Sequence, residues 1–313
     1  MTGILAITAP LVLLIGLGYT AVRLGWLHAS GLSVLGAFVM RFALPALLFA
    51  AVSRRELAEV MDLDYLVAYL LGSLVPLVVG LAWGSRGQPR DLTAGAMAGL
   101  GMASANTAFI GFPVASQVVG SEASLALALC MMVENLVILP LTLALAASGG
   151  GRGTFWPAFA RALANLPRNP LIIAILAGFA VSLLALPLPD PLTRAVDLLA
   201  STATGVALFV VGGSLVGLAP RALNGTLIPV AFGKLVLHPL AVLVAMWLVG
   251  PSAPGLQVAA VLMAAAPMLS IYPILGQRYG LASLCSARLV TTTLLSFVTI
   301  PLVIAALRWS GWP

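Results

Sequence analysis

The chain has 313 residues, 61% of them hydrophobic and only 8% charged, with a mean hydropathy of +1.13 and a formal net charge of +6. Soluble domains carry roughly 25% charged residues, so this composition cannot supply the polar surface of a water-soluble enzyme, a nucleic-acid binder or a disordered scaffold. The chain reads as an all-α polytopic membrane protein, and its basic excess reads as the positive-inside bias of such proteins and not as the mark of an acidic partner.

A spanning helix needs about 20 mostly apolar residues, and ten such runs follow one another. They lie near 4–22, 33–52, 65–84, 93–119, 122–147, 170–187, 194–216, 226–249, 256–280 and 284–307. The first has no basic segment before it and no small-residue cleavage pattern, so it reads as a retained span and not a signal peptide. The one long connector, 148–169, opens on Gly149, Gly150, Gly151 and Gly153 and continues as FWPAFARALANLPRN, an amphipathic stretch suited to the membrane interface. It separates a first five-span unit, 1–147, from a second, 170–313. One set of alternate loops holds Arg23, Arg86, Arg90, Arg152, Arg161, Arg168, Arg221 and Arg278; the other holds Arg54, Arg55, Arg194 and Arg308. Short basic loops stay cytoplasmic, so both termini are predicted outside and the connector inside. The acidic cluster Glu56, Glu59, Asp62 and Asp64 falls on the less basic side. Cys130 and Cys285 are too few for a disulfide framework and sit in no metal-type spacing, and neither a cofactor nor a metal is expected.

A shift of 160 residues aligns the halves. Pro113, Gln117 and Gly120 fall on Pro273, Gln277 and Gly280; Pro10-Leu11 falls on Pro170-Leu171, Gly18 on Gly178, and Leu48-Phe49 on Leu208-Phe209. One register thus serves the first, second and fourth spans of each half. Five is odd, so the second copy must enter the membrane from the opposite face, which gives the inverted-topology repeat typical of secondary transporters.

The best-matching repeat segments also look broken. Residues 104–113, SANTAFIGFP, and 266–273, APMLSIYP, are rich in small and polar residues and place proline at membrane depth. Irregular backbone there requires surrounding protein or a water-filled cavity. Spans four and nine are therefore predicted to unwind near the midplane, cross, and offer half-helix termini that can hold an anion; ordinary proline kinks are the alternative.

Ionisable residues within spans cost about 2.5–3.5 kcal/mol each at the centre on insertion scales and are functional candidates. Arg41 lies mid-way along span two, Glu134 and Asn135 mid-span five, Lys234 and His238 at i, i+4 in span eight, and Arg288 near the start of span ten. Three basic groups against Glu134 leave a positive surplus that suits an anionic substrate. Arg41 is read either as a substrate contact or as a structural residue, paired with Glu134 or packed against carbonyls. Glu134 is read as a carboxylate that loads and releases a proton, or as a permanently paired charge. His238 is read as a hydrogen-bonded core residue ahead of a proton relay. Gly95 and Gly99 form a small-xxx-small pair suited to helix packing.

The segments FVMRFALPALLF (38–49), SANTAFIGFPVASQVVG (104–120), RNPLIIAILAGF (168–179), GKLVLHPL (233–240) and TTTLLSFVTIPLVI (291–304) resemble the auxin efflux carrier family, whose bacterial members include malonate and other organic-acid transporters. The likeness runs over essentially the whole chain. It implies a scaffold part and a transport part that moves like an elevator, with a carboxylate bound at the crossover. It also implies a bacterial inner-membrane location and a homodimer. Asn106 matches the family's substrate-contacting asparagine, whereas Arg41 stands where the family carries an acidic or uncharged residue. By the same resemblance Lys234 takes the place of a sodium ion in sodium-coupled transporters of this architecture.

The resulting substrate-site candidates are Asn106, Thr107, Pro113, Ser270, Tyr272, Pro273 and Arg41, with Glu134, Asn135, Lys234, His238 and Arg288 for ion coupling or charge balance. The expected function is secondary transport of a small organic anion such as malonate or an auxin-like acid, coupled to protons. A cation-coupled symporter or antiporter of the same fold is the alternative. A membrane-embedded enzyme ranks below both, because HExxH, paired intramembrane aspartates and a Ser–His pair in register are all missing.

Overall fold

The computed structural model describes residues 2–55, 60–86, 91–149, 154–216, 227–250 and 252–311, and of residues 2–8 and 29 the backbone alone. Glu56, Glu59, Arg90, Arg152, Arg221 and the glycines at 150, 151 and 153 lie outside the described residues. Within them every regular element is helical. The helices are α1 (Thr2–Arg23), α2 (Ser30–Ser53), α3 (Leu63–Gly84), α4 (Leu92–Ala103), α5 (Phe112–Val119), α6 (Glu122–Gly149), α7 (Phe155–Ala164), α8 (Pro170–Leu183), α9 (Asp190–Ser214), α10 (Ile228–Val249), α11 (Pro254–Ala265), α12 (Tyr272–Gln277) and α13 (Ala282–Trp309).

Their starts follow from local chemistry. Asp62, Asp91 and Asn169 each stand just ahead of a helix and accept a hydrogen bond from the amide of Tyr65, Ala94 or Leu171, satisfying a donor that has no partner inside the helix. Pro170 and Pro254 open α8 and α11, where the missing N–H costs nothing. Wider π-type turns interrupt α2 at Val39–Ala43, α6 at Glu134–Ile138 and α10 at Gly233–Leu237, and a fourth, Thr107–Gly111, leads into α5. Such turns concentrate at functional positions, and two of these carry Glu134 and Lys234.

By length and composition, six of the described helices can cross a membrane: α2, α3, α6, α9, α10 and α13. A seventh span results if Phe155–Arg168 and Pro170–Leu183, bent by 64° at their junction, are counted together. The ten apolar runs are thus not ten uniform helices. Run one is represented by the shorter apolar Ala9–Arg23, run six by the 14-residue α8, and runs four and nine are split into α4 with α5 and α11 with α12. The connector forms α7, with Phe155, Trp156 and Phe159 clustered on it.

The helices associate in two groups. Helices α1, α2, α8 and α9 pack on one another, α1 against α9 and α8 against α2; helices α3 to α6 and α10 to α13 form the second group around the α3–α10 and α3–α4 contacts. Small residues permit the closest approaches. A Cβ on Gly80 would lie 2.6 Å from the backbone of Gly99, which is how α3 and α4 come together. Contacts between residues of different elements mark the two ends of the molecule. At one end Arg54 pairs with Asp197 across 2.6 Å and Ser252 donates to Asp62 across 3.1 Å. At the other, Gly149 touches Thr93 and Gly276 touches Cys285.

Candidate functional site

Between the two ends, the interruptions of α4–α5 and α11–α12 meet. Helix α4 stops at Ala103, and the chain is extended through Ser104–Asn106 before turning again at Thr107. Helix α11 stops at Ala265, and residues 266–271 are non-helical. The Asn106 amide donates to the Pro267 carbonyl across 2.7 Å, and its side-chain Nδ2 donates to Ser270 Oγ across 2.9 Å. Each break therefore supplies backbone or side-chain partners to the other. Asn106 is buried, whereas Ser270 is exposed, so the pair opens outward from the crossing.

Two buried charged side chains flank the breaks on matching sides of the helix dipoles. Glu134 accepts from the Ala105 amide at 3.2 Å, the Thr107 hydroxyl at 3.4 Å and the Tyr69 hydroxyl at 3.2 Å. Its carboxylate thus sits at the start of the second half-helix, where unpaired N–H groups favour negative charge. Lys234 donates to the Ala264 carbonyl across 2.9 Å, at the C-terminal end of α11, where unpaired carbonyls favour positive charge. Its Nζ also lies 2.7 Å from His238 Nδ1, and His238 Nε2 lies 3.0 Å from Ser73 Oγ. With the ammonium donating, Nδ1 is the acceptor and Nε2 carries the ring proton. Lys234, His238 and Ser73 are all fully buried. Lys234 and Glu134 come no closer than 4.0 Å, so each is held by dipoles and neutral groups and not by a direct ion pair between them. Tyr69 and Ser73, one turn apart on α3, connect the two charges to one helix.

The structure thus brings Asn106, Thr107, Ser270 and Glu134 together, with Lys234 and His238 adjoining. Pro113 and Pro273 stand beyond the irregular stretches, in the first turns of α5 and α12. Asn135 turns away from the crossing, accepting from Asn169 Nδ2 at 3.3 Å and donating to the Met131 carbonyl at 2.9 Å. Tyr272 and Arg288 meet each other at a separate place, 3.2 Å apart. Arg41 is exposed on the π-type turn of α2 and makes no contact with Glu134, which removes the pairing of those two residues as an explanation for either.

Sequence reasoning passed over Tyr65, Tyr69 and Ser73, which repeat at i, i+4, i+8 in an otherwise apolar span and place one polar stripe toward the site; that spacing was the available signal. It also passed over Pro267, whose carbonyl joins the breaks. Among the described residues no three His, Cys, Asp or Glu side chains converge as metal ligands.

Comparison with known proteins gives the family of the chain. Residues 4–304 match the family described as "Membrane transport protein". The chain is 31% identical over 320 residues, covering 100% of it and 98% of its counterpart, to the "Putative malonate transporter" of Rhizobium meliloti (strain 1021). It is also 31% identical over 145 residues, 45% of this chain and 47% of the other, to an "Uncharacterized transporter" of Methanothermobacter thermautotrophicus. The chain belongs to the membrane transport protein family of the auxin efflux carriers, and is a multi-pass membrane transporter and not an enzyme.

Proposed function

We propose that the protein is a secondary active transporter that carries a small carboxylate of the malonate class by elevator-type alternating access. In this reading ten spans form two inverted five-span repeats, 1–147 and 170–313, joined by a cytoplasmic connector at 148–169, with both termini outside. Equivalent contacts at equivalent positions support the repeat. Gly18 abuts the Phe209 carbonyl, and Gly178 lies against the Phe49 carbonyl, the same pair of positions displaced by 160 residues. Gly120 and Gly280, matched by the same shift, both end their half-helices with φ positive, +65° and +74°. Helices α1, α2, α8 and α9 are then the scaffold, and the second group of helices carries the substrate.

The observation that carries the function is the crossing itself. Two broken helices meet where an outward-opening Asn106–Ser270 pair offers neutral donors, and half-helix termini supply dipoles for a carboxylate. Malonate is taken from the printed name of the Rhizobium relative. Glu134 binds the residues on either side of Asn106, so gain or loss of its proton changes the geometry of the substrate site. Lys234 already fills the carbonyl position at the end of α11 that a coupling cation would occupy, which favours a proton over sodium.

The test is malonate binding and counterflow with the purified full-length protein. A ligand that binds the folded state raises its melting temperature. Malonate is expected to do so without sodium, and Asn106→Ala is expected to abolish both the shift and the counterflow while leaving a monodisperse protein. Unchanged malonate binding in that variant would overturn the assignment.

A further inference from the structure

Arg288 is 5% exposed, yet most of its hydrogen-bonding capacity is unused. Nη1 donates to the Tyr272 hydroxyl across 3.2 Å, and that hydroxyl is itself fixed by donating 2.7 Å to the Met97 carbonyl. The guanidinium carbon stands 6.0 Å from the centre of the Trp83 ring. Nε has no partner although it is buried, Nη2 finds no acceptor among the described residues, and no described carboxylate lies within 4.0 Å. A buried guanidinium kept only for packing would have its fork satisfied by carbonyls or a carboxylate. Here the fork is held open, with its orientation set by Tyr272 on one edge. Thr291, one turn along the same buried face of α13, has a hydroxyl for which no hydrogen bond forms among the described residues.

The position matters as much as the chemistry. Met97 precedes the end of α4 by six residues, about 9 Å along the helix. The Tyr272 hydroxyl also faces Gly101, two residues before that end, so Arg288 lies on the Met97 side of the Asn106–Ser270 pair, toward the end of the molecule where Gly276 touches Cys285. In the topology of the proposed transporter this is the cytoplasmic end, where the described loops carry Arg23, Arg86, Arg161, Arg168 and Arg278, and Asp91, the one carboxylate among them, is already occupied in capping the Ala94 amide.

We infer that Arg288, aimed by Tyr272 and Trp83 and assisted by Thr291, forms a second oxyanion site that holds the carboxylate substrate on the cytoplasmic side of the crossover. The inference rests on the carboxylate-transport reading, and its test separates the two. Protein reconstituted in phosphatidylcholine alone excludes anionic headgroups as the source of the oxyanion. Malonate is added from each side, and transport is followed together with tryptophan fluorescence, using Trp83→Phe to isolate the ring beside the guanidinium. Arg288→Gln is expected to raise the KM for malonate about tenfold from the cytoplasmic side and less than twofold from the other. Arg288→Lys, which keeps the charge but loses the fork, falls between. Both variants should lose the malonate-dependent Trp83 signal; Tyr272→Phe, which frees Nη1, should weaken it.

Should Arg288→Gln fail to fold, the lysine and phenylalanine variants carry the same readouts. Equal KM changes from both sides, or a Trp83 signal unaltered by the Arg288 variants, overturns the second site while leaving crossover transport intact. If the wild type shows the Trp83 response but no malonate transport, the site stands and the transport reading falls.

Discussion

At the residue scale, the site is organised by where each charge finds its compensation. Glu134 and Lys234 avoid the full cost of a buried charge because each lies at the end of a half-helix of the matching polarity and accepts or donates to neutral groups. Two predictions follow from their different surroundings. Glu134→Gln retains an acceptor for the Ala105 amide but cannot exchange a proton, so malonate counterflow should persist while net uptake loses its dependence on an imposed pH gradient; dye-reported uptake across proteoliposomes measures this. Lys234→Met leaves the Ala264 carbonyl and His238 Nδ1 without their donor. Each unmade buried bond costs about 1–3 kcal/mol, so the variant should melt well below the wild type whether or not malonate is present. The charged and amide side chains were legible in the sequence, because an ionisable group at membrane depth is rare enough to notice. The tyrosines were not, because an apolar run tolerates Tyr and only the packed structure tells which hydroxyl reaches Glu134. Residue type alone did not separate Asn106, which joins the breaks, from Asn135, which bonds its own helix and Asn169; the resemblance placed Asn106 at the substrate, and Asn135 was read for ion coupling or charge balance.

At the element scale, the irregular stretches and the glycines explain what a count of apolar runs could not. Run length marks where a chain can span, but small and polar residues in runs four and nine decide where it leaves the helix, and the exits fall at Ser104 and Ala266, ahead of Pro113 and Pro273. Proline is tolerated in the first turn of a helix, so these two residues open the second half-helices and do not mark the breaks. The π-type turns left no trace in the hydrophobic pattern, since one inserted residue does not disturb a span that is apolar on nearly every face, and the single charges at Arg41, Glu134 and Lys234 set no period. Glycine roles also depend on neighbours that sequence does not reveal. Gly212 of α9 lies against the Ile15 carbonyl of α1, whereas Gly205 on the same helix has nothing within 4 Å of a built Cβ. Gly212→Ala should therefore force α1 and α9 apart and cost about 1–3 kcal/mol. Gly205→Ala should be neutral or stabilise by up to about 1 kcal/mol through helix propensity. Melting curves of the two variants in one detergent make the comparison internal to a single helix.

At the scale of the whole molecule, charge is divided along the axis that substrate must travel. The contacts of Arg54 with Asp197, of Asp62 with Ser252, and of Gly250 and Gly255 with Asp64 and Glu122 gather acidic residues at one end. Among the described residues the opposite loops carry Arg23, Arg86, Arg161, Arg168 and Arg278, with Asp91. In the proposed topology this basic end faces the cytoplasm, where it satisfies the insertion rule and raises the local concentration of an anion at the inner mouth. This orientation is testable, because both native cysteines, Cys130 and Cys285, are fully buried and give little background to a thiol reagent. In intact cells a membrane-impermeant maleimide should label a cysteine placed at exposed Asp64 and spare one placed at exposed Arg86, while inverted vesicles should reverse the pattern. Labelling of both positions from one side would remove the third span between them and with it the odd number of crossings that makes the two halves inverted.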